Sequence, residues 1–205
     1  MIKKAINSVL WAFRHKKFMS QKRKQLPNSD FTIFSCNCIG GVLYHDLGLP
    51  FLSPFVNLYL SCEDFIRFCE APKEYLRLPL TPAEQCSNYP MAHLGDLTLH
   101  LVHYDSFAQA KEAWDRRVKR IRFDRLFLVG TDRDGFTEEL SHRFDALPYP
   151  KVLFVHRPDH NPNHFYIPGF EKQGQVGDLI KKAHPRNGRR IMDQFDWIKF
   201  LSQEV

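Results

Sequence analysis

Two short apolar runs, Leu126–Gly130 and Val152–Val155, flank a stretch in which Phe136, Leu140 and Phe144 recur one helical turn apart. Runs this short and this apolar read as strands buried on both faces. Strand, helix, strand is a βαβ unit, and its two strands are expected as parallel neighbours. A further apolar run, Phe31-Thr-Ile-Phe34, supplies a third strand. The expected fold is therefore α/β and three-layered, with a mixed, mostly parallel sheet and helices on both faces. The sheet is expected to be mixed because Met91–Leu94 and Leu97–His103 flank Gly95-Asp96, a two-residue hairpin turn signal.

The remaining segments fit around that frame. Ser61 and Ser106 are placed to cap helices, the second carrying Phe107, Ala110, Trp114, Val118 and Ile121 at helical spacing. Pro72 ends the first of these helices. Arg77–Pro90 reads as loop, and so does residues 156–178, rich in Pro, Gly, His and Asn and long enough to suggest a functional role. Ile191, Phe195, Ile198 and Leu201 mark a closing helix.

At the N-terminus, residues 1–30 form a basic amphipathic helix and a polar linker, and residues 31–205 a single α/β domain. Ile2, Ile6, Val9, Leu10 and Phe13 share one helical face, bordered by Lys3, Arg14 and Lys16. Two readings stay open: the helix lies on an anionic membrane surface, or it docks on its own domain. Residues 1–24 hold eight Lys or Arg and no acid, which leaves 21 basic against 23 acidic residues elsewhere. Basicity confined to an arm argues against a nucleic-acid footprint on the domain. No apolar run approaches the roughly 20 residues of a spanning helix, and no secretory signal opens the chain. Five irregularly spaced cysteines suit a reducing compartment. The expected location is the cytoplasm, with peripheral attachment to the inner membrane if the arm binds lipid.

Ligands in open α/β sheets bind beyond the carboxyl ends of the strands. Three strands here end in reactive residues: Ser35-Cys-Asn-Cys38, Thr131-Asp-Arg-Asp134 and His156-Arg157. Parallel strands bring them to one crevice. Cys38 is the candidate nucleophile, at a turn where a helix N-terminus lowers a thiol pKa. His45 with Asp46, or His156, is the candidate base. The backbone at Gly40 and Gly41 is suited to hold an oxyanion. Against this stands a Cys that merely packs as an inert thiol. Asp132-Arg-Asp134 also has D-x-D spacing, which suits a divalent cation and a nucleotide diphosphate; the competing reading is a helix cap at Asp134 and an ion pair at Asp132. His156, His160 and His164 are four apart, but Pro158 and Pro162 forbid the helix that would align them on zinc. No metal ligands are assigned.

Asn37-Cys-Ile-Gly-Gly41, Tyr44-His-Asp-Leu-Gly-Leu-Pro50 and Leu52-Ser-Pro-Phe-Val-Asn57 resemble the hallmark of a bacterial family, domain of unknown function 1919. His103-Tyr-Asp-Ser106, Thr131-Asp-Arg-Asp-Gly-Phe136 and Tyr166-Ile-Pro-Gly-Phe170 with Gly177-Asp178 extend the likeness across the domain. Many members are labelled exopolysaccharide or capsule biosynthesis proteins, so the resemblance implies an α/β fold and a polysaccharide setting without an agreed reaction. Asn is usual where this chain has Cys36, which favours Cys38 as nucleophile. The Asn-Cys-x-Gly run also resembles the start of a polysaccharide acetyltransferase group, which points to acyl transfer.

Together these readings lead us to expect a transferase modifying a saccharide or lipid-linked saccharide, with acyl-coenzyme A a candidate donor. Cys38, His45, Asp46 and His156 are its candidate catalytic residues. Ser35, Asn37, Gly40, Gly41, Tyr44, Asp132, Arg133, Asp134 and Arg157 are its candidate substrate contacts. The alternatives are a metal-dependent glycosyltransferase and a non-catalytic accessory protein of a polysaccharide assembly complex.

Overall fold

A computed structural model of the chain describes residues 2–84 and 88–203, with side chains from residue 6 onward. The elements in order are α1 (Ile2–Gln25), β1 (Thr32–Ser35), α2 (Ile39–Leu47), α3 (Cys62–Glu70) and α4 (Pro72–Tyr75). A small-sheet segment follows, β2 (Leu80–Pro82), β3 (Met91–Leu94) and β4 (Leu97–His100). The chain closes with α5 (Phe107–Val118), β5 (Leu126–Thr131), α6 (Glu138–Ala146), β6 (Lys151–Val155), β7 (His164–Tyr166) and α7 (Trp197–Leu201).

The main sheet has the order β1-β5-β6-β7, and every neighbouring pair is parallel. Thr32 stands opposite Leu126, Leu128 opposite Lys151, and Leu153 opposite His164. Residues along these strands alternate between two cores. Phe34, Leu126, Leu128 and Leu153 meet α3, α5 and α6 on one face. Phe31, Ile33, Phe127, Val129, Val152 and Phe154 meet α2, α7 and Met19 of α1 on the other. Helices therefore cover both faces, as expected for a sheet with almost no polar strand residues.

Parallel and antiparallel pairing are divided between two sheets. The Gly95-Asp96 hairpin does not join the main sheet; β2, β3 and β4 form their own antiparallel sheet, packed against the first core. Its strand β2 lies where a loop is expected from the prolines, and it ends at Pro82, as an edge strand tolerates. The long segment after β6 is likewise not all loop: His164–Tyr166 adds the fourth parallel strand. Pro72 does more than end α3, since it sits at the first position of α4. The closing helix is shorter than its apolar spacing suggests, a 3-10 turn at Ile191–Gln194 followed by α7.

The caps behave as the sequence indicates. Ser61 accepts from the Asp64 N–H at 3.1 Å and Ser106 from the Gln109 N–H at 3.2 Å. Asp64 then turns outward to accept from the Thr98 N–H, tying α3 to β4. Among the described residues no helix is long and apolar enough to cross a membrane.

Candidate functional site

The site begins with the way α2 leaves β1. A Cβ on Gly40 would stand 3.0 Å from the Ser35 Cβ and 3.1 Å from Ile33 Cγ2, and one on Gly41 3.3 Å from Val56 Cγ1. The Gly-Gly pair thus lets the helix lie directly against its strand and the following loop. Tyr44, one turn on, is buried; its hydroxyl donates to the Phe31 carbonyl at 2.8 Å and accepts from the Ile33 N–H at 3.0 Å. It bonds to the free edge of β1 and does not line the crevice beyond the strand ends. Asn37 Oδ1 accepts from the Ile39 N–H at 3.1 Å, and Cys38 is the N-cap residue without a side-chain cap bond. The N-terminus of α2 therefore opens at the carboxyl edge of the sheet, with the partial positive charge such an end carries.

The end of β5 comes alongside. Asn37 Nδ2 donates to Thr131 Oγ1 at 3.3 Å. Cys62 reaches up from α3, its thiol donating to the Arg133 carbonyl at 2.8 Å. Burial pushes the Cys36 thiol up to about 11 and raises that of Cys62 as well, so both serve as packed thiols. Asp134 is in the left-handed region at φ 58°, and its N–H donates to Gln175 Oε1 at 3.2 Å. The Nε of Arg133 is buried and has no hydrogen-bond partner among the described residues.

Asp132 organises the third wall. Its Oδ2 accepts from the His156 N–H at 2.7 Å and from His156 Nδ1 at 2.6 Å, and its Oδ1 accepts from the Val176 N–H at 2.7 Å. One carboxylate therefore ties the ends of β5 and β6 to the segment after β7. Directly beyond Val176 come Gly177 and Asp178. Gly177 lies under the Phe170 ring, where a Cβ would approach Phe170 Cε1 to 2.4 Å. Asp178 is thereby brought beside Cys38.

These walls enclose a crevice of about 340 Å³, lined by Asn37, Cys38, Tyr59, Arg133, Asp134 and Asp178 among others. Burial raises the Cys38 pKa, and the Asp178 carboxylate raises it further. Its thiol is therefore protonated at neutral pH, against the activation that its place at a helix N-terminus leads one to expect.

The candidate residues divide cleanly. Asn37, Cys38, Arg133 and Asp134 converge on the crevice. Ser35 is fully buried, and Gly40 and Gly41 do not line the crevice but pack against Ser35, Ile33 and Val56. His45 and Asp46 lie elsewhere: His45 is exposed, while Asp46 accepts from His15 Nε2 at 2.8 Å and from Arg190 Nε at 2.6 Å. His45 Nδ1 does stand 3.1 Å from Asp46 Oδ1, so the pair forms, but it forms on the α1 side of α2 and not in the crevice. Asp132 is taken up by His156 and Val176, so the paired carboxylates do not fit a D-x-D metal site. The cap expected of Asp134 falls instead to Thr137, whose Oγ1 accepts from the Leu140 N–H at 3.2 Å. Among the described residues no group of three or more His, Cys, Asp or Glu is arranged to hold a metal ion.

His156 and Arg157 line a second cavity of about 250 Å³ with Ser141 and His164. There Ser141 Oγ lies 3.3 Å from His164 Nε2, and His164 Nδ1 lies 2.6 Å from Asp159 Oδ2. Sequence reading missed this chain because it weighed His164 only as a zinc ligand. It also missed Tyr59, which carries no local signal, and it left Asp178 without a role although Gly177-Asp178 stands among the quoted motifs.

A family model described as a domain of unknown function (DUF1919) matches residues 10–202. A protein of Haemophilus influenzae bearing the name "Uncharacterized protein" is 42% identical over 204 residues, covering 98% of this chain and 96% of its own length.

Proposed function

The chain belongs to the family described as domain of unknown function 1919, and on that premise we propose that it is a transferase modifying a saccharide hydroxyl during bacterial surface-polysaccharide assembly. The observation that carries this reading is the meeting of an open helix N-terminus, Arg133 and two carboxylates, Asp134 and Asp178, in one crevice at the carboxyl edge of a parallel sheet. A guanidinium and a helix N-terminus suit the phosphates of a donor. Carboxylates beside an aromatic ring, here Tyr59, suit a sugar with several hydroxyls.

The reaction we assign is acyl transfer from a coenzyme A thioester. The acceptor hydroxyl oxygen attacks the thioester carbonyl while Asp178 takes its proton. The partial positive charge at the N-terminus of α2 stabilises the oxyanion that forms. The C–S bond breaks, and the departing thiolate receives the proton from Asp178, which balances the reaction as thioester plus alcohol to ester plus thiol. Asp178 thus takes the role that sequence reading gave to His45 or His156, and Cys38 forms a wall of the crevice as a neutral thiol. The setting is the cytoplasmic face of the inner membrane, and the acceptor class is a saccharide or lipid-linked saccharide.

A thermal-shift screen of the purified chain tests this. An acyl-coenzyme A raises the midpoint, by roughly 2.7 kcal/mol of linkage at a hundred times its dissociation constant, and Arg133→Ala abolishes the shift. A shift with nucleotide sugars and none with acyl-coenzyme A would replace acyl transfer with glycosyl transfer.

One observation favours a covalent route to the same product, the Ser141–His164–Asp159 chain. Its order of hydroxyl, imidazole and carboxylate is that of an activated serine. Labelling by a fluorophosphonate that disappears in Ser141→Ala would move the nucleophile there; no labelling leaves direct transfer in the main crevice.

A further inference from the structure

The expected apolar stripe of α1 is not what holds the helix to the domain. Trp11, His15 and Met19, spaced one turn apart, are the buried face. Trp11 stacks on His15 at 4.5 Å between ring centroids, with Lys182 Nζ 4.7 Å from its ring, and Met19 enters the second core. On the opposite side of the helix, Ile6, Val9, Leu10 and Phe13 are left 53%, 70%, 41% and 69% exposed. Their spacing of i, i+3, i+4 and i+7 makes them one continuous stripe. The side chain of Ile2 lies outside those described.

Exposed basic residues surround this stripe. Arg14 and Lys16 border it on either side, and Lys17 and Lys24 continue its line toward the C-terminus. A second basic segment lies alongside: Lys182 Nζ donates to Ser8 Oγ at 3.3 Å, and Arg14 donates to the Arg186 carbonyl. No acidic residue occurs in residues 1–29 or 179–192. A solvent-facing stripe of large apolar side chains framed only by positive charge matches one partner chemistry, the boundary between acyl chains and anionic headgroups.

We propose that the chain docks on an anionic lipid bilayer through the outer face of α1, with Val9 and Phe13 entering the acyl boundary and Arg14, Lys16 and Lys17 meeting headgroup phosphates. The inner face of the helix docks on its own domain, and its outer face is the one proposed to meet the membrane. The inner face makes the attachment rigid, so a bound molecule holds one orientation. That orientation is set close to the crevice: Ile180 lines it, and Lys182, two residues on, touches α1. The docking stands independently of the reaction assigned to the crevice.

Co-sedimentation of the full chain with vesicles tests it, using equimolar phosphatidylcholine and phosphatidylglycerol against phosphatidylcholine alone. Binding is expected only to the anionic vesicles, at least tenfold weaker in Val9→Ser/Phe13→Ser, and lost to added salt in Lys16→Glu/Lys17→Glu before it is lost in the unaltered chain. All four side chains are exposed, so circular dichroism and the thermal midpoint should not move. Failure of the unaltered chain to bind anionic vesicles would overturn the proposal, as would binding indifferent to Val9→Ser/Phe13→Ser. So would a dimer in light scattering that these substitutions dissolve without any vesicle binding, which would assign the stripe to a second copy of the chain. Ligand-induced thermal shifts are measured on the same variants; their persistence separates loss of docking from loss of the crevice.

Discussion

His15 of α1 and Asp46 of α2 meet at 2.8 Å between Nε2 and Oδ2, and the other ring nitrogen of His15 lies 2.9 Å from the Gly188 carbonyl. Both partners are acceptors, so the doubly protonated imidazolium is the form this site matches. Burial lowers the His15 pKa, but the Asp46 bond, the Gly188 bond and the Asp46 charge together raise it above its ordinary 6.5. Burial also opposes ionisation of Asp46, and the bonds from His15 and Arg190 outweigh it, holding the carboxyl well below 3.8. The signs differ. The stability from Asp46 is present above pH 3.8 and is lost as pH falls through its low folded value. That from His15 is present below pH 6.5 and is lost as pH rises through its elevated folded value. The docking of α1 is therefore strongest between about pH 4 and 6.5. The thermal midpoint of the unaltered chain should exceed that of His15→Gln most in that window and converge with it on the alkaline side. A difference constant across neutral pH would show that His15 is uncharged.

Asp46→Asn probes the same cluster as a stability element. The side chain of Asp46 is 3% exposed, and Arg190 approaches it at 2.6 and 3.2 Å. Neutralising it leaves a guanidinium and an imidazolium without their counter-charge, at a cost of about 3 kcal/mol. Urea unfolding measures this. Ligand-induced thermal shifts in the crevice should survive, since Asp46 faces α1. Normal stability with lost ligand binding would return Asp46 to the site.

The strand ends were legible because a buried parallel strand is an unbroken apolar run, and the first polar residues after it mark the carboxyl edge. Asn37, Cys38, Arg133 and Asp134 were found in this way. What failed was inference from adjacency. His45 and Asp46 do meet, at 3.1 Å, as a base and its orienter would, but away from the crevice, and Asp46 is claimed as well by His15 and Arg190, 31 and 144 residues away. The docking face of α1 was hidden for the same reason: Trp11, His15 and Met19 are less conspicuous than the Ile6–Phe13 stripe, and their partners, Lys182, Gly188, Asp46 and the second core, are remote in sequence. Strand β7 is three half-buried residues in Pro-rich surroundings, too short for any periodicity. Asp178 owes its place to the Asp132–Val176 bond, a contact 44 residues long in sequence.

Gly40→Ala tests the close passage of α2 over β1. The new methyl group would meet Ser35 Cβ at 3.0 Å and Ile33 Cγ2 at 3.1 Å, both in fully buried residues that have little room to yield. Overpacking of this kind costs about 1–3 kcal/mol, despite the better helix propensity of Ala. Chemical denaturation should show that loss, and ligand shifts should weaken because the N-terminus of α2 is displaced. A gain in stability would mean that the helix has slack against its strand.

Asp132→Asn separates a positioning role from metal binding. An amide can accept at one atom only, so the donors on His156 and Val176 are no longer all met, at a cost of about 1–3 kcal/mol. Hydrogen exchange should rise across residues 174–180, and the crevice should lose affinity because Asp178 is no longer held. Chelators and Mn²⁺ should leave the midpoint of the unaltered chain where it is. A Mn²⁺-dependent shift abolished by Asp132→Asn would restore the D-x-D reading.

The last test concerns Cys38, the only cysteine of the described residues that is not fully buried. Burial and the Asp178 carboxylate both hold it as the thiol, and the nearest sequence candidate for a base, His45, is bonded to Asp46 at 3.1 Å away from the crevice. Alkylation by iodoacetamide, followed by mass spectrometry in a Cys86→Ser background, should be slower at neutral pH than for a free cysteine and should accelerate only on the alkaline side. Cys38→Ser should keep the fold and hold transfer activity within about tenfold, because a wall residue is replaced by one of similar size, whereas loss of a true thiolate nucleophile is far more damaging. Rapid alkylation at neutral pH together with an inactive Cys38→Ser would identify a thioester intermediate and make Asp178 the base that serves it.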